Sequence, residues 1–384
     1  MAANGALQGI HGAPDRALAR AVASEVLRWM IDLDALIDSA TKQNLAPDAK
    51  PRAVLRLMLA QWLRLDTPPH AVVATALPLL TGGPRRLAHG VFGALVRQDV
   101  KLPDAPTLPE TAQARWGDRA PAIAAALAVP PPLDLTLRDP AETDKWLGEL
   151  GGTSLLPGHI RLPRGDAIEN LAGFSEGAWW VQDIAASLPA RLLGSGEGKR
   201  ALDLCSAPGG KTLQLAAAGW KVTSLDASAK RMERVEQNLA RTGLTADLVV
   251  ADVLMWEPAD KFDVILLDAP CTATGTCRRH PDVLHRIGQR QIDEMTELQQ
   301  EMLQRASAWL APGGTLVYAV CSLEEQEGEA QAAAVKLETL PIASSALPQG
   351  VSASPTGWLR TDPGMLADAG GMDGFFIAQF TAKS

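Results

Sequence analysis

The chain has no run of about 18 consecutive uncharged apolar residues, the length a helix needs to cross a bilayer, so no membrane span is expected. Its first twenty residues hold Asp15, Arg16 and Arg20 with no apolar core segment, which argues against a secretory leader and makes the cytoplasm the expected compartment. Cysteine is scarce: Cys205, Cys271, Cys277 and Cys321 are all there are. None forms a C-x-x-C pair and no histidine lies at ligand spacing beside them, so neither zinc nor another metal is expected. Disulfides do not persist in a reducing compartment. Each thiol is then either a small buried apolar group or a reactive thiolate. A basic excess, the usual mark of a nucleic-acid binder, is also missing, because the net charge is −8. Residues 278–290 run the other way: Arg278, Arg279, Arg286 and Arg290 against Asp282 give a net +3, with His280 and His285 among them, and predict a local basic groove. No internal repeat or low-complexity tract interrupts the chain.

The 384 residues, 47% of them apolar, are enough for two or three globular domains. Residues 15 to about 128 read as all-helical. Leu18, Val22, Val26, Met30, Leu33 and Ile37 fall three or four apart, as on one face of a helix. Val54, Leu55, Met58, Leu59, Trp62 and Leu63 form a second face after Pro51, and Leu87, Val91, Leu95 and Val96 a third after Pro84; both prolines stand where a helix can begin. These stripes read as the core of a compact bundle. Pro103, Pro106 and Pro109 punctuate a loop, and Pro130-Pro131-Pro132 marks a boundary. A small mixed segment follows, with an alternating strand at Leu133, Leu135 and Leu137, a short helix ending near Gly151 and a strand near Ile160. The expected domains are 1–128, 129–195 and 196–384.

From about residue 200 the period changes. Strands Ala201–Leu204, Val222–Leu225, Asp247–Val250, Val264–Leu267 and Thr315–Val320 alternate with helical segments, which predicts a mostly parallel, doubly wound sheet. In such sheets a ligand lies beyond the carboxyl ends of the strands. The first strand runs into Cys205-Ser206-Ala207-Pro208-Gly209-Gly210-Lys211, with a helix opening at Thr212. Paired glycines at this turn let a ligand approach the backbone, and the helix start offers free N–H groups. The loop is neither G-x-G-x-x-G nor a P-loop. Asp226, sixteen residues after Gly210, ends the second strand, where an acid can take both ribose hydroxyls of a nucleoside. Asp252 and Asp268 end the third and fourth. Each acid alone reads as a solvated strand end or a helix cap. A glycine loop or an acid at four successive strand ends reads as a nucleoside site.

Asp268-Ala269-Pro270-Cys271 follows one buried strand, and Val320-Cys321-Ser322 follows the next long one after the turn Pro312-Gly313-Gly314. Both thiols are expected to open onto the ligand cleft, and they favour methyl transfer over hydride transfer. Carbon 5 of cytosine is too weak a nucleophile to take a methyl group from a sulfonium directly. A thiolate added at carbon 6 makes carbon 5 an enamine carbon, which divides one hard step into easier ones. Asp268 is the nearest acid for the ring nitrogen. The residues alone leave open which thiol attacks. Cys205 and Cys277 read as structural thiols, Cys205 contributing to the loop.

On these residues the chain resembles the RNA cytosine-5 methyltransferases of the Fmu/Sun type. Within them it resembles the branch that acts on bacterial small-subunit ribosomal RNA. The likeness runs over almost the whole chain. Phe174-Ser175-Glu176-Gly177 through Gln182-Asp183 resembles the family's segment ahead of the first strand, and Cys205–Lys211 its cofactor loop. Asp226, Asp252 and Asp268 match its cofactor-contacting acids. Asp268-Ala269-Pro270-Cys271, Gly275 and Arg278-Arg279-His280-Pro281-Asp282 match its most specific signature, and Met372 to Ala378 its closing strand. Pro51–Arg56 and Pro68–Val73 give the N-terminal bundle the look of NusB, an RNA-binding helical fold.

The resemblance implies an α/β, Rossmann-like methyltransferase domain behind a NusB-like all-α domain, with a small α+β linker subdomain between them. It implies S-adenosyl-L-methionine as cofactor and RNA as partner, with Arg278, Arg279 and His280 on the RNA and a monomer as the working form. It makes Cys321 the nucleophile and Cys271 the residue that assists breakdown of the adduct. Val320 stands where the family has Thr, and Thr272-Ala273 where it has Ser-Gly. Alternatives are a non-catalytic RNA-binding assembly factor with a vestigial methyltransferase fold, an enzyme on another RNA such as tRNA, and a DNA cytosine methyltransferase. The intact thiols and acids oppose the first. The NusB-like bundle and the missing DNA-target domain oppose the last.

Overall fold

The structure is a computed structural model that describes residues 10, 12–165 and 167–383. It divides into two compact units, 1–129 with 280–286 and 130–279 with 287–384.

The first unit is helical: α1 (Ala13–Arg28), α2 (Met30–Ser39), α3 (Lys50–Arg64), α4 (Pro69–Ala76), α5 (Gly82–Arg97), α6 (Glu110–Trp116) and α7 (Ala120–Leu127). Leu33, Ile37, Val54, Leu55, Met58, Leu59, Val91 and Leu95 meet in its core, as the stripes predict. The first stripe is not one helix, however. The chain breaks at Trp29, and Leu18 is 57% exposed. Leu33 N–H still bonds to the Trp29 carbonyl at 2.8 Å, so the helical period carries across the break and the pattern cannot register it.

In the second unit, β1 (Leu133–Leu137), β2 (His159–Leu162) and β3 (Trp179–Val181) form an antiparallel sheet in the order β2-β1-β3, with α8 (Thr143–Leu150) packed on β2. Leu135, Leu137, Trp146, Ile160, Leu162 and Trp179 make its core. Only β3, three residues long, is too short for its alternation to be read. Asp134 is buried in β1, and both its oxygens accept from Arg161 at 2.7 Å. Burial alone would raise this carboxyl, but Arg161 and His159 outweigh it and hold it below the usual range. Asp134 also accepts from the N–H of Ile184, which starts α9 (Ile184–Arg191).

The remaining elements are β4 (Arg200–Leu204), α10 (Gly210–Ala217), β5 (Lys221–Asp226), α11 (Ala229–Thr242), β6 (Asp247–Val250), β7 (Phe262–Asp268), α12 (Gln289–Ala308), β8 (Leu310–Val320), α13 (Glu329–Ala334), β9 (Glu338–Thr339), β10 (Leu359–Arg360) and β11 (Phe376–Thr381). The sheet runs β10-β11-β8-β7-β4-β5-β6, with β9 pairing β11. Strands β6, β5, β4, β7 and β8 are parallel, and β11 joins β8 antiparallel. Ala201, Val264, Leu266, Val317 and Ala319 pack on one face, and Leu202, Leu204, Ile265, Leu267, Tyr318 and Val320 on the other. Burial on both faces is why these strands read as continuous apolar runs. Strand β4 is central: the chain leaves it toward β5 and β6 and returns beside it as β7. That reversal opens a crevice at the carboxyl ends of β4 and β7.

Replacing Arg161 with Leu leaves the Asp134 carboxylate buried without its partner. The expected loss is about 3–5 kcal/mol in urea denaturation. A loss under about 1 kcal/mol would show that Arg161 is not what satisfies Asp134.

Candidate active site

The loop after β4 turns sharply. Cys205 has φ 58° and Gly209 φ 102°. A Cβ on Gly209 would lie 3.1 Å from Val235, so both the conformation and the space call for glycine. Helix α10 opens at Gly210, two residues earlier than the expected Thr212. Lys211 therefore lies in its first turn, where its Nζ donates to Asp268 Oδ2 at 2.7 Å. Burial would lower the Lys211 pKa. Asp268 outweighs it, Asp203 and Cys321 add to the effect, and the net shift is upward.

Strands β7 and β8 pair in parallel with Asp268 opposite Ala319, so the residues that follow them emerge side by side. Gly275 N–H bonds to the Cys321 carbonyl at 3.0 Å, and Gly374 N–H to the Gly275 carbonyl at 2.8 Å. A Cβ on Gly275 would lie 1.9 Å from the Gly374 carbonyl oxygen, so no other residue fits. Cys271 and Cys321 are both half-buried, with sulfurs 3.4 Å apart. The Cys321 bond, with burial behind it, pushes the Cys271 thiol well up. Burial pushes Cys277 up to about 12 and also raises Cys205.

A cavity of about 450 Å³ lies at these strand ends. Ser206, Ala207, Pro208, Gly210, Lys211, Asp268, Arg279 and Cys321 wall it. So do residues not singled out as site candidates: Phe174, Trp180, Gln182, Asp183, Asp203, Asn238, Arg241, Asp373 and Phe375. Cys205, Gly209, Asp226, Asp252, Cys271, Arg278 and His280 stand outside its walls. Asp226 ends β5 and is 3% exposed, its oxygens accepting from the Ala207 and Ser228 N–H groups at 3.2 and 2.9 Å. Asp252 lies two residues beyond β6, exposed, and caps the Leu254 N–H at 2.9 Å.

Residues 190–381 match the 16S rRNA methyltransferase RsmB/F family, and residues 3–82 match the NusB family. The ribosomal RNA small subunit methyltransferase B of Klebsiella pneumoniae is 33% identical over 401 residues, covering 96% of this chain and 90% of its own. The chain belongs to the RsmB/F family. Among solved structures, a methyltransferase homologue from Pyrococcus horikoshii has TM-score 0.58 at 28% identity, covering 71% of this chain and 93% of its own. NSun6 from the same organism, solved with SFG, has TM-score 0.63 at 19% identity, covering 72% and 98%, and shows the shared fold. Like its family, this RsmB/F member is an S-adenosyl-L-methionine-dependent rRNA methyltransferase, an α/β Rossmann-like enzyme with an N-terminal NusB domain.

The residues present suit that cofactor. Asp203 is fully buried in β4 yet borders the cavity, and its Oδ1 has no partner. An unpartnered buried carboxylate oxygen is costly unless a cation meets it. Phe174, Trp180 and Leu213 supply apolar wall, and the glycine turn supplies the close approach.

Two expectations for this RsmB/F chain need correction. Arg278 is 2% exposed and bonds to Asp183, Asp373 and the Gly370 carbonyl, so its guanidinium is engaged within the protein and not displayed on the surface as expected. The basic groove is largely neutralised. Arg279 pairs with Asp183 and Asp373, Arg286 with Asp282 and Arg290 with Glu294. Counting arginines along the sequence missed carboxylates supplied by distant residues 183 and 373. Asp373 is itself raised to about 6 by burial and by the charge of Asp183. Of the two departures from the family pattern, Val320 lies in the apolar core behind the sheet. Ala273 has φ 58° and ψ 24°, the left-handed region.

That conformation costs a non-glycine residue roughly 1–2 kcal/mol, part of which glycine's extra unfolded-state freedom offsets. Ala273→Gly is expected to stabilise by about 1 kcal/mol, raising Tm by about 2–4 °C in a thermal melt. A lower Tm would show that the loop carries no such strain.

Proposed function

We propose that this enzyme methylates carbon 5 of a cytosine in small-subunit (16S) ribosomal RNA, through a covalent bond from Cys321 to carbon 6 with Cys271 assisting release. The observation that carries the reading is the pair of sulfurs 3.4 Å apart at the ends of adjacent parallel strands, one of them in the wall of the glycine-loop cavity.

Bound S-adenosyl-L-methionine supplies an electrophilic methyl group. Asp203 would hold its ammonium through Oδ1 and the turn Cys205–Lys211 would allow its close approach, with Asp226, bonded to the Ala207 N–H of that turn, and Asp252 as the candidates for its nucleoside half. Cys321, beside the Lys211 ammonium, attacks as the thiolate, the nucleophilic form of the residue. Its electron pair forms the S–C6 bond, and the ring pair moves toward carbon 5 and nitrogen 3, which takes a hydrogen bond from the ammonium of the Asp268–Lys211 pair. Carbon 5 then carries the nucleophilic pair. After methylation, a water takes the carbon-5 proton, its electron pair restores the C5–C6 double bond, and the S–C6 bond breaks to release the Cys321 thiolate. Cys271, kept protonated by its surroundings, returns a proton to that thiolate. Arg279, a quarter exposed, and the exposed His280 are the remaining candidates for RNA contact, with the NusB domain holding RNA and a monomer as the working form. A flipped or single-stranded cytosine, held by stacking and basic contacts, suits such a site. The reaction belongs in the cytoplasm, where ribosomal RNA is made in bacteria.

Bisulfite sequencing of 16S RNA from cells lacking the protein should show one cytosine losing protection, restored by the wild-type chain and not by Cys321→Ala. Full protection without the protein would refute the assignment. In vitro, Cys321→Ala is expected to reduce methyl transfer to background while donor affinity stays within twofold. Cys271→Ala is expected to accumulate a protein–RNA adduct that survives denaturing electrophoresis. Retained turnover in the first, or no adduct in the second, reassigns the roles.

Burial pushes Asp203 up to about 7, against the bond from Thr212 and the charge of Lys211. A cationic donor prefers the ionised form. Donor affinity should therefore rise with pH from about 5.5 and level off above about 7, and Asp203→Asn should flatten the titration curve in calorimetry. A pH-independent wild-type affinity would remove Asp203 from the donor site.

A further inference from the structure

Six residues beyond Cys321 lies a carboxylate that the mechanism above does not use. Glu327 is fully buried. Its Oε1 accepts from the Thr272 backbone N–H at 2.8 Å and from Gln299 Nε2 at 3.1 Å. Its Oε2 accepts from the hydroxyls of Thr272 and Ser322. Thr272 directly follows Cys271, and Ser322 directly follows Cys321. Gln299 Nε2 also donates to the Pro270 carbonyl at 2.8 Å, on the other side of Cys271. The Glu327 backbone is itself pinned, its carbonyl accepting from the Tyr318 hydroxyl at 2.6 Å.

A buried carboxylate is expensive unless several donors satisfy it, and an apolar residue of like size would fill the same volume at lower cost. Four donors meet this one, and three of them belong to the residues immediately after the two thiols. Each loop is also joined to the other by weaker bonds. Thr272 and Thr274 hydroxyls lie 3.3 Å from Ser322 Oγ, and Thr274 Oγ1 accepts from the Leu323 N–H at 3.0 Å. The carboxylate is the shared acceptor at the centre of this net.

We propose that Glu327 is a positioning residue that clamps the Cys271 and Cys321 loops to one carboxylate, and so sets the sulfur separation that adduct release requires. The proposal rests on the covalent reading above. Its charge also adds, after the Cys321 bond and burial, to what keeps the Cys271 thiol protonated. A glutamine cannot replace it in kind. An amide nitrogen would face the Thr272 and Ser322 hydroxyls with donors where the carboxylate accepts.

The test uses the full chain, S-adenosyl-L-methionine and unmodified 16S RNA. Glu327→Gln is expected to lower kcat at least tenfold, leave donor Kd within twofold, lower the KM for RNA along with kcat, and accumulate the denaturation-resistant adduct as Cys271→Ala does. Glu327→Asp, which keeps two acceptor oxygens, should recover part of the turnover. The double variant Cys271→Ala/Glu327→Gln should turn over no more slowly than Cys271→Ala alone. If Glu327→Gln loses donor binding through misfolding, Thr272→Val is read instead, with adduct above the wild-type level expected. Adduct at the wild-type level in the variant that is read, or a further slowing in the double variant, overturns the proposal while the covalent reading stands. Absence of the adduct in Cys271→Ala itself removes both.

Discussion

The parallel pairing of β7 with β8, Asp268 opposite Ala319, is the constraint on which the site depends. Fifty residues of chain separate the two cysteines. The ladder sets where both strands end, and the loops beyond it have little freedom left. Gly275 docks its N–H on the Cys321 carbonyl at a spot where a side chain cannot fit, and Gly374 docks on Gly275 in turn. Both faces of the sheet are apolar and buried, so a one-residue slip of β8 would carry its entire core set to the wrong side. Core packing therefore brings the two loops together, and the contacts within them set the final spacing of the thiols.

Charge in this unit is handled by pairing carboxylates with guanidinium and ammonium groups in places that water barely reaches. Asp134 holds Arg161, Asp268 holds Lys211, and Asp183 with Asp373 holds Arg278 and Arg279. Such pairs tie segments far apart in sequence and permit little misalignment, because breaking one strands a buried charge. The exception is Asp203, whose free oxygen borders the cavity. Among the described residues it is the carboxylate oxygen that is buried without a partner, and it suits a cation.

Much of this was legible from the residues. The strands β4, β7 and β8 stood out because they are buried on both faces, β5 and the exposed edge strand β6 because turns bound them, and the glycine loop and Pro-Cys segment lie at the carboxyl ends as the topology of such sheets requires. What escaped did so for physical reasons. The helical period runs straight through the break at Trp29 because the flanking hydrogen bond persists. Arg278 looked like an RNA ligand because the acids that bury it lie about a hundred residues away. Asp226 was expected to be open to a nucleoside, yet backbone N–H groups already occupy both its oxygens. Glu327 and Arg241 gave no signal, since nothing in their neighbours along the chain reveals which loop they will support.

The most direct measurement replaces the target cytosine by 5-fluorocytosine in the RNA and maps the trapped protein peptide by mass spectrometry. Fluorine at carbon 5 cannot leave as a proton does, so the covalent intermediate is held at the sulfur that formed it. The account predicts one modified peptide, carrying the methylated fluoropyrimidine on Cys321. Attachment at Cys271, or donor-dependent turnover with no protein-linked RNA, would contradict it.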